Sequence, residues 1–403
     1  IWFGRQIDMG QLKALYNQDR PEGDPMAGLP YTWNYLFHPN PYFLQLRNTN
    51  EDSRDRLIGQ LTARYEFTPW LAAQARAGTD WYQDSRLKGY AYNPQIPYSG
   101  YYTTNPITAG REYISENGGF GDWSIGFQET NLEFMVTANP NLGLPVTTDF
   151  MVGGNRRDFE RDEKYVFVGE LATPGIFDVS NAAGAPDLNN RIDRARVNSL
   201  FGQVELGYND FAFLTFTGRN DWSSTLPEEN RSYFYPSVSG SVVFSDLVPA
   251  LRNSWLSFGK LRASWARVGN DTDPYRLRNT YIADEIWDGV PSFSVPGQLA
   301  NSELLPERTE SIEVGAEMAF LNNRVGLDLT YYTEETRDQI MPVQLSRSTG
   351  YASRFINAGT VENTGWEVLL RATPVSLGDF RWETTLTWAK NNSTVVELAE
   401  GVT

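Results

Sequence analysis

The stretch RDRLIGQLTARYEFTPWLAAQARAGTDWY, residues 54–82, decides the fold. Leu57, Gly59, Leu61, Ala63, Tyr65 and Phe67 recur at every second position, with Gln60, Thr62, Arg64 and Glu66 between them. That is the period of a strand with two unlike faces. Thr68-Pro69 turns the chain, after which Leu71, Ala73, Ala75, Ala77 and Trp81 alternate with Gln74, Arg76, Asp80 and Tyr82. Two strands joined so tightly make a hairpin.

The same grammar continues along the chain. Leu200, Val204, Leu206 and Tyr208 oppose Gln203 and Glu205, and a partner strand starts at Phe211 after Asn209-Asp210. Val314–Phe320 and Val325–Tyr331 flank Leu321-Asn322-Asn323, and Phe380, Trp382, Leu386 and Trp388 oppose Arg381, Glu383 and Thr385. The pattern predicts an all-β, antiparallel architecture of roughly twelve to fourteen strands. Its turns are very short on one side, and its long polar connections lie near residues 84–119, 269–307 and 338–355. Residues 1–53, dense in Pro, Asn and Gly, read as an irregular loop or crossover leading into a wall formed by residues 54–403.

Composition narrows the chemistry. The 403 residues carry 34 Lys+Arg against 50 Asp+Glu, a net charge of −16, with no long basic run, which argues against a nucleic-acid partner. There is no cysteine, and His38 is the sole histidine, so disulfides, thiolate nucleophiles, Cys- or His-ligated metal clusters and Ser-His-Asp triads are excluded. The reading is therefore not that of an enzyme. Adjacent carboxylates such as Glu228-Glu229 and Glu334-Glu335 fall on opposite faces of a strand and do not form an acid/base pair.

No run of roughly 18 apolar residues occurs, so a transmembrane helix is excluded, but strands that alternate in polarity are invisible to that test. Three features favour a transmembrane barrel over a soluble sandwich or propeller. Trp70, Trp81, Trp222, Trp255 and Trp366 sit near strand ends, as interfacial rings do. The opposite face carries Arg64, Glu66, Arg76, Asp80, Glu205, Glu317 and Glu383, too polar for a dry core. Short turns also alternate with long loops. A secreted, soluble, β-rich glycan-binding protein and a passive outer-membrane porin remain the alternatives.

Several phrases, in their order, resemble the SusC/RagA-type TonB-dependent transporters of the outer membrane. These are Arg54-Asp55-Arg56 with Pro69-Trp70-Leu71 and Gly78-Thr79-Asp80; Gly218-Arg219-Asn220-Asp221-Trp222-Ser223-Ser224-Thr225-Leu226-Pro227; Tyr235-Pro236-Ser237-Val238-Ser239; and Lys260 through Asn270. Pro306-Glu307-Arg308-Thr309 and Asn357 through Glu367 complete the series. The resemblance implies an antiparallel transmembrane β-barrel of 22 strands, of which this chain supplies a part. The plug domain and TonB box of the family have no counterpart in the sequence, which reads as an internal section of a longer protein. It further implies active import of an oligosaccharide or peptide in a Bacteroidota-like bacterium. The implied partners are a SusD-like lipoprotein, TonB acting through a missing N-terminal segment, and outer-membrane lipid; no cofactor or metal is implied.

The residues best suited to touch a substrate are Tyr90, Tyr92, Tyr98, Tyr101 and Tyr102, crowded into one long connection, with Trp222 and Trp287 elsewhere. Aromatic faces stack on sugar rings and grip side chains, and tyrosine adds a hydroxyl at small entropic cost. Packing within the loop or against a partner is the competing role. For Arg219, Asn220, Asp221 and Trp222 the favoured role is organising a strand-to-loop turn. Gly269-Asn270-Asp271-Thr272-Asp273-Pro274 alternates carboxylates as a calcium loop would, yet lacks EF-hand spacing and reads as an Asx turn.

Overall fold

The computed structural model describes all residues except 1–6, 25–26, 33–39, 94–100, 248–254, 284–287, 289 and 399–403. His38, Tyr98 and Trp287 therefore lie outside the described residues. A twelve-stranded sheet dominates, its strands hydrogen-bonded in the order of the sequence. They are β1 Thr49–Thr68, β2 Leu71–Tyr90, β3 Gly119–Ala138, β4 Val146–Val168, β5 Asp187–Tyr208 and β6 Ala212–Ser223. There follow β7 Ser232–Val242, β8 Leu256–Asn270, β9 Glu307–Phe320, β10 Val325–Arg337, β11 Thr360–Leu377 and β12 Phe380–Glu397. The strand number falls within the range read from the sequence.

Connections are mostly shorter at one end than at the other, 243–255 being longer than 224–231 opposite it. Residues 69–70, 139–145, 209–211, 243–255, 321–324 and 378–379 turn the chain at one end. Residues 91–118, 169–186, 224–231, 271–306 and 338–359 join strands at the other. Asn209, Asp210, Leu321, Asn322 and Asn323 adopt positive φ, the left-handed geometry that lets so few residues reverse a strand. At the opposite end, the segments around 271–306 and 338–359 knit together. Gln298–Leu299 runs parallel to Ser353–Asn357, which pairs antiparallel with Ile340–Gln344. The Asn357 amide donates to the carbonyls of Leu305 and Asp338 and accepts from the Leu305 amide.

Two short helices interrupt the segment read as irregular. Asp8 caps α1, Met9–Tyr16, by accepting from the Gly10 and Gln11 amides, and Asn40 caps α2, Pro41–Arg47, by accepting from the Tyr42 amide. The Asn-Pro pair that looks like loop composition is a cap followed by a proline at the first helical position. Strand β1 also begins before Arg54, at Thr49. Asn50, Glu51, Asp52 and Ser53 are polar on both faces, so no alternation announces them.

The chain divides into two compact units. The first comprises Ile1–Gly59, Thr79–Thr130 and Phe159–Arg194, and the second Gln60–Gly78, Asn131–Asp158 and Ala195–Thr403. In the first, one sheet face joins Arg54, Asp84 and Arg86 in ion pairs and stacks Tyr82 on Phe127 at 4.6 Å. On the far side of that wall Phe120, Val168 and Leu171 form a small buried cluster.

In the second unit one face is apolar and bare. Leu61, Tyr65, Phe67, Phe134, Val152, Leu200, Leu214, Phe216, Ile312 and Val314 are all exposed there. An apolar surface of this extent is not compatible with water. Aromatic pairs lie on it: Trp255 stacks on Phe320 at 5.9 Å near the short turns, and Tyr331, opposite Val314, meets Trp366 at 4.8 Å. Strand β6 runs from Ala212, opposite Tyr208, to Trp222, opposite Asn198. Those ten or so residues, at about 3.4 Å each and a tilt of about 45°, cover about 24 Å, the depth of a transmembrane barrel's apolar band.

The opposite face of this unit is polar and tied across strands. Arg262 on β8 stands beside Gly315 on β9, which stands beside Thr330 on β10. Its guanidinium crosses the glycine to donate to Asp328 at 2.7 Å and to Thr330 at 2.6 Å. A side chain at 315 would occupy the guanidinium's path, since a Cβ built there meets Arg262 Nε at 2.6 Å. Gly315→Leu is expected to destabilise the sheet by about 1–3 kcal/mol through overpacking. The check is the temperature at which the folded barrel loses its fast migration on a denaturing gel; an unchanged temperature would show that Arg262 has another resting place.

Candidate functional site: an aromatic hairpin on the polar face

Residues 91–118, between β2 and β3, contain a small hairpin of strands Tyr101–Thr104 and Arg111–Ile114. Asn105 builds its turn by accepting from the Ile107 and Thr108 amides at 2.9 and 3.0 Å, and Ala109 takes positive φ to close it. Pairing sets Tyr102 opposite Tyr113 and Thr103 opposite Glu112, so the hairpin has two unlike faces.

One face is buried. Ile114 packs with Tyr90, Tyr165 and Phe167, with Ile107 and Trp123 against them. Tyr90 shares a period-two face with Tyr82, Asp84 and Arg86, and Arg86 lies 4.9 Å over the Trp123 ring. The hairpin therefore lies on the polar side of the wall. Within this contact Glu112 accepts from the Asn105 amide at 2.8 Å and from the Tyr165 hydroxyl at 2.9 Å, and the Tyr90 hydroxyl bonds Thr103 at 2.7 Å. Burial of its carboxylate raises Glu112 above the ordinary range; the two donated hydrogen bonds oppose the shift and Asp187 adds to it.

The other face is open. Tyr102 and Tyr113 are each about half exposed, their rings edge to face at 5.6 Å, and the Arg111 guanidinium lies 4.5 Å from the Tyr102 centroid. Two exposed rings and a cation, on a hairpin whose back is locked into a hydrophobic cluster, form a preorganised stacking surface.

The structure sorts the residues expected to touch a substrate. Tyr102 stands on the open face and Tyr92 is exposed nearby. Tyr101 is in the hairpin's first strand. Tyr90 is buried beneath the hairpin and holds it in place. Trp222 is opposite Asn198 on the apolar face, sharing the parity of Leu214 and Phe216, and so points away from the polar side. Tyr98 and Trp287 lie outside the described residues. Arg111 and Tyr113 were not singled out from sequence, although their alternation with buried Ile114 carries the signal.

The cluster around Asp221 ties three strands together across the polar face, and the strand-to-loop turn expected of it is held instead by Ser223 and Thr225. Asp221 accepts from Arg219 at 2.8 Å and from the Tyr235 hydroxyl, and Arg219 also donates to Ser199 at 2.7 Å. Asp271 accepts from Thr225 at 3.1 Å and from Ser223, anchoring the base of residues 271–306 to the end of β6. The carboxylate that alternates like a calcium ligand is occupied by these hydroxyls.

The sequence matches, over residues 4–401, the family described as TonB dependent receptor-like, beta-barrel, and the chain belongs to that family. It is 25% identical to TonB-dependent receptor P26 of Formosa agariphila, across 99% of this chain and 39% of that receptor. It is likewise 25% identical to TonB-dependent receptor SusC of Bacteroides thetaiotaomicron, across 92% of this chain and 36% of SusC. The fold matches the structure of the RagAB peptide transporter with a TM-score of 0.78 at 18% identity, covering 93% of this chain and 40% of that one. The chain thus spans about two-fifths of the length of the relatives it matches.

Family membership settles the class as a TonB-dependent-receptor β-barrel of the outer membrane and sets aside the soluble reading. The apolar face meets lipid and the polar face lines the interior.

Because Glu112 is raised, protonation favours the docked hairpin. That contribution is complete below the ordinary glutamate range and is lost as pH rises through the raised value. Hydrogen-exchange protection of residues 101–114, corrected for intrinsic rates, is expected to fall as pH rises, and Glu112→Gln is expected to flatten the profile. A wild-type profile already flat would remove this role from Glu112.

Proposed function

We propose that the protein imports an oligosaccharide or peptide across the outer membrane by TonB-dependent transport, with a SusD-like lipoprotein as its partner at the cell surface. The long connections face the outside and the short turns the periplasm, as in other barrels of this kind. Residues 271–306 and 338–359, knitted into one hydrogen-bonded body, would form part of the surface on which the lipoprotein closes.

The observation that carries this reading is the hairpin bearing Tyr102, Tyr113 and Arg111 on the inner side of the wall, at the end with the long connections. Rigid tyrosines there meet a ligand entering from outside, and stacking suits either a sugar ring or a peptide side chain. The solved relative named as a peptide transporter supports the peptide arm. No covalent step is needed.

Growth of the producing bacterium on peptides or on oligosaccharides as the limiting nutrient, with the gene intact or deleted, distinguishes the two substrate classes. Uptake is expected to stop when TonB is deleted or the proton gradient is collapsed; uptake that survives both would make the barrel a passive pore. Tyr102→Ala with Tyr113→Ala is expected to lower uptake at limiting substrate by about tenfold, roughly 1.4 kcal/mol of lost stacking, with surface abundance unchanged. Unaltered uptake in that variant would take the hairpin out of the substrate path.

A further inference from the structure

The lipid-facing side of the second unit is not uniformly filled. Ala63 and Ala75 put small residues on the neighbouring strands β1 and β2, Gly154 adds another on β4 beyond Phe134 of β3, and Leu61 and Leu200 stand at the flanks. The result is a groove of about 790 Å³ with an almost wholly apolar lining. Gly154 sets its depth: a Cβ there would meet Leu200 Cδ2 at 3.3 Å.

Arg156 borders this groove. Its Nε donates to Asp158 Oδ2 at 2.6 Å, and Arg196 Nε donates to Asp158 Oδ1 at 2.5 Å. Two guanidinium groups, each about half exposed, share one carboxylate, which leaves a surplus of one positive charge in a chain whose net charge is −16. The depth is also defined. Asn198 faces Trp222, and the Arg196 amide donates to Ser224, two residue pairs beyond that tryptophan. The arginines therefore sit just beyond Trp222, at the depth where an interfacial ring marks the change from hydrocarbon to headgroups.

We infer that this groove holds one acyl chain of an anionic, phosphate-bearing lipid whose phosphate rests on Arg156 and Arg196. Guanidinium matches phosphate in a fork geometry, and Asp158 gathers the two groups while cancelling only one of their two charges. An apolar slot with such a pair at headgroup depth suits a whole lipid better than a free anion.

The test uses the whole protein, purified from outer membranes, stripped of lipid by prolonged detergent washing and titrated in parallel with phosphatidylglycerol and phosphatidylcholine. Native mass spectrometry reads the retained lipid. One phosphatidylglycerol is expected to be held about fivefold more tightly than phosphatidylcholine. Arg156→Gln with Arg196→Gln is expected to abolish the preference, and Gly154→Leu to weaken both lipids by filling the floor. Asp158→Asn, which frees both arginines, is expected to strengthen phosphatidylglycerol binding and does not depend on the fold of the arginine variants. Equal retention of the two lipids by the unaltered protein, or a preference that ignores the arginine and Asp158 changes, would overturn the inference. So would displacement of phosphatidylglycerol by inorganic phosphate, which would assign the arginines to a free anion.

Discussion

In a bilayer no water reaches the backbone, so each amide and carbonyl must find its partner within the protein. The rest of this structure follows from that constraint. It demands strands paired in unbroken sequence, and the order of hydrogen-bonded neighbours here is the order of the chain. It makes the side chains alternate, one set for lipid and one for water. It also sends everything irregular to the ends, where turns and loops can be wetted. The rule applies with equal force to β1 and β12, which stand last in the strand order and are exposed along almost their whole length. A strand edge is tolerated in hydrocarbon only against another strand.

Legibility in the sequence depended on whether the two faces of a strand differ. Residues 54–82 could be read because lipid requires Leu61 and Phe67 on one side while water permits Arg64 and Glu66 on the other. Beyond the hydrocarbon both faces are wet and the contrast vanishes. Arg156, Asp158 and Glu160 on β4 are lipid-side positions by parity, yet they are charged, like much of the interior. The start of β1 was hidden for the same reason. Strand number and order survive such losses because the central part of each strand keeps its alternation.

The candidate site was half legible. Sequence located a tyrosine-rich connection, but it could not say which tyrosines are scaffold and which are surface. Tyr90 and Tyr102 look alike in composition; a hairpin folded back onto β2 and β4 buries the first and exposes the second. Glu112 was likewise out of reach, since a glutamate in a polar loop gives no hint that Ile114, two residues on, will draw it under cover. Trp222, by contrast, could have been placed by parity alone, because it shares its face with Leu214 and Phe216.

The guanidinium of Arg262, lying across Gly315 to reach Asp328 and Thr330, bears on how the barrel is assembled. Strands of alternating polarity can slide by two residues without turning any side chain to the wrong face, so the apolar pattern alone does not prevent slippage. A slip of β9 by two would bring Glu313 or Glu317 into the path now left open by Gly315. A slip of β10 by two would break the present pair of acceptors, leaving the guanidinium without Asp328 in one direction and without Thr330 in the other. Of these alignments the observed one alone gives the guanidinium a clear path over a glycine to both Asp328 and Thr330, so the arginine favours the correct register where hydrophobicity is indifferent.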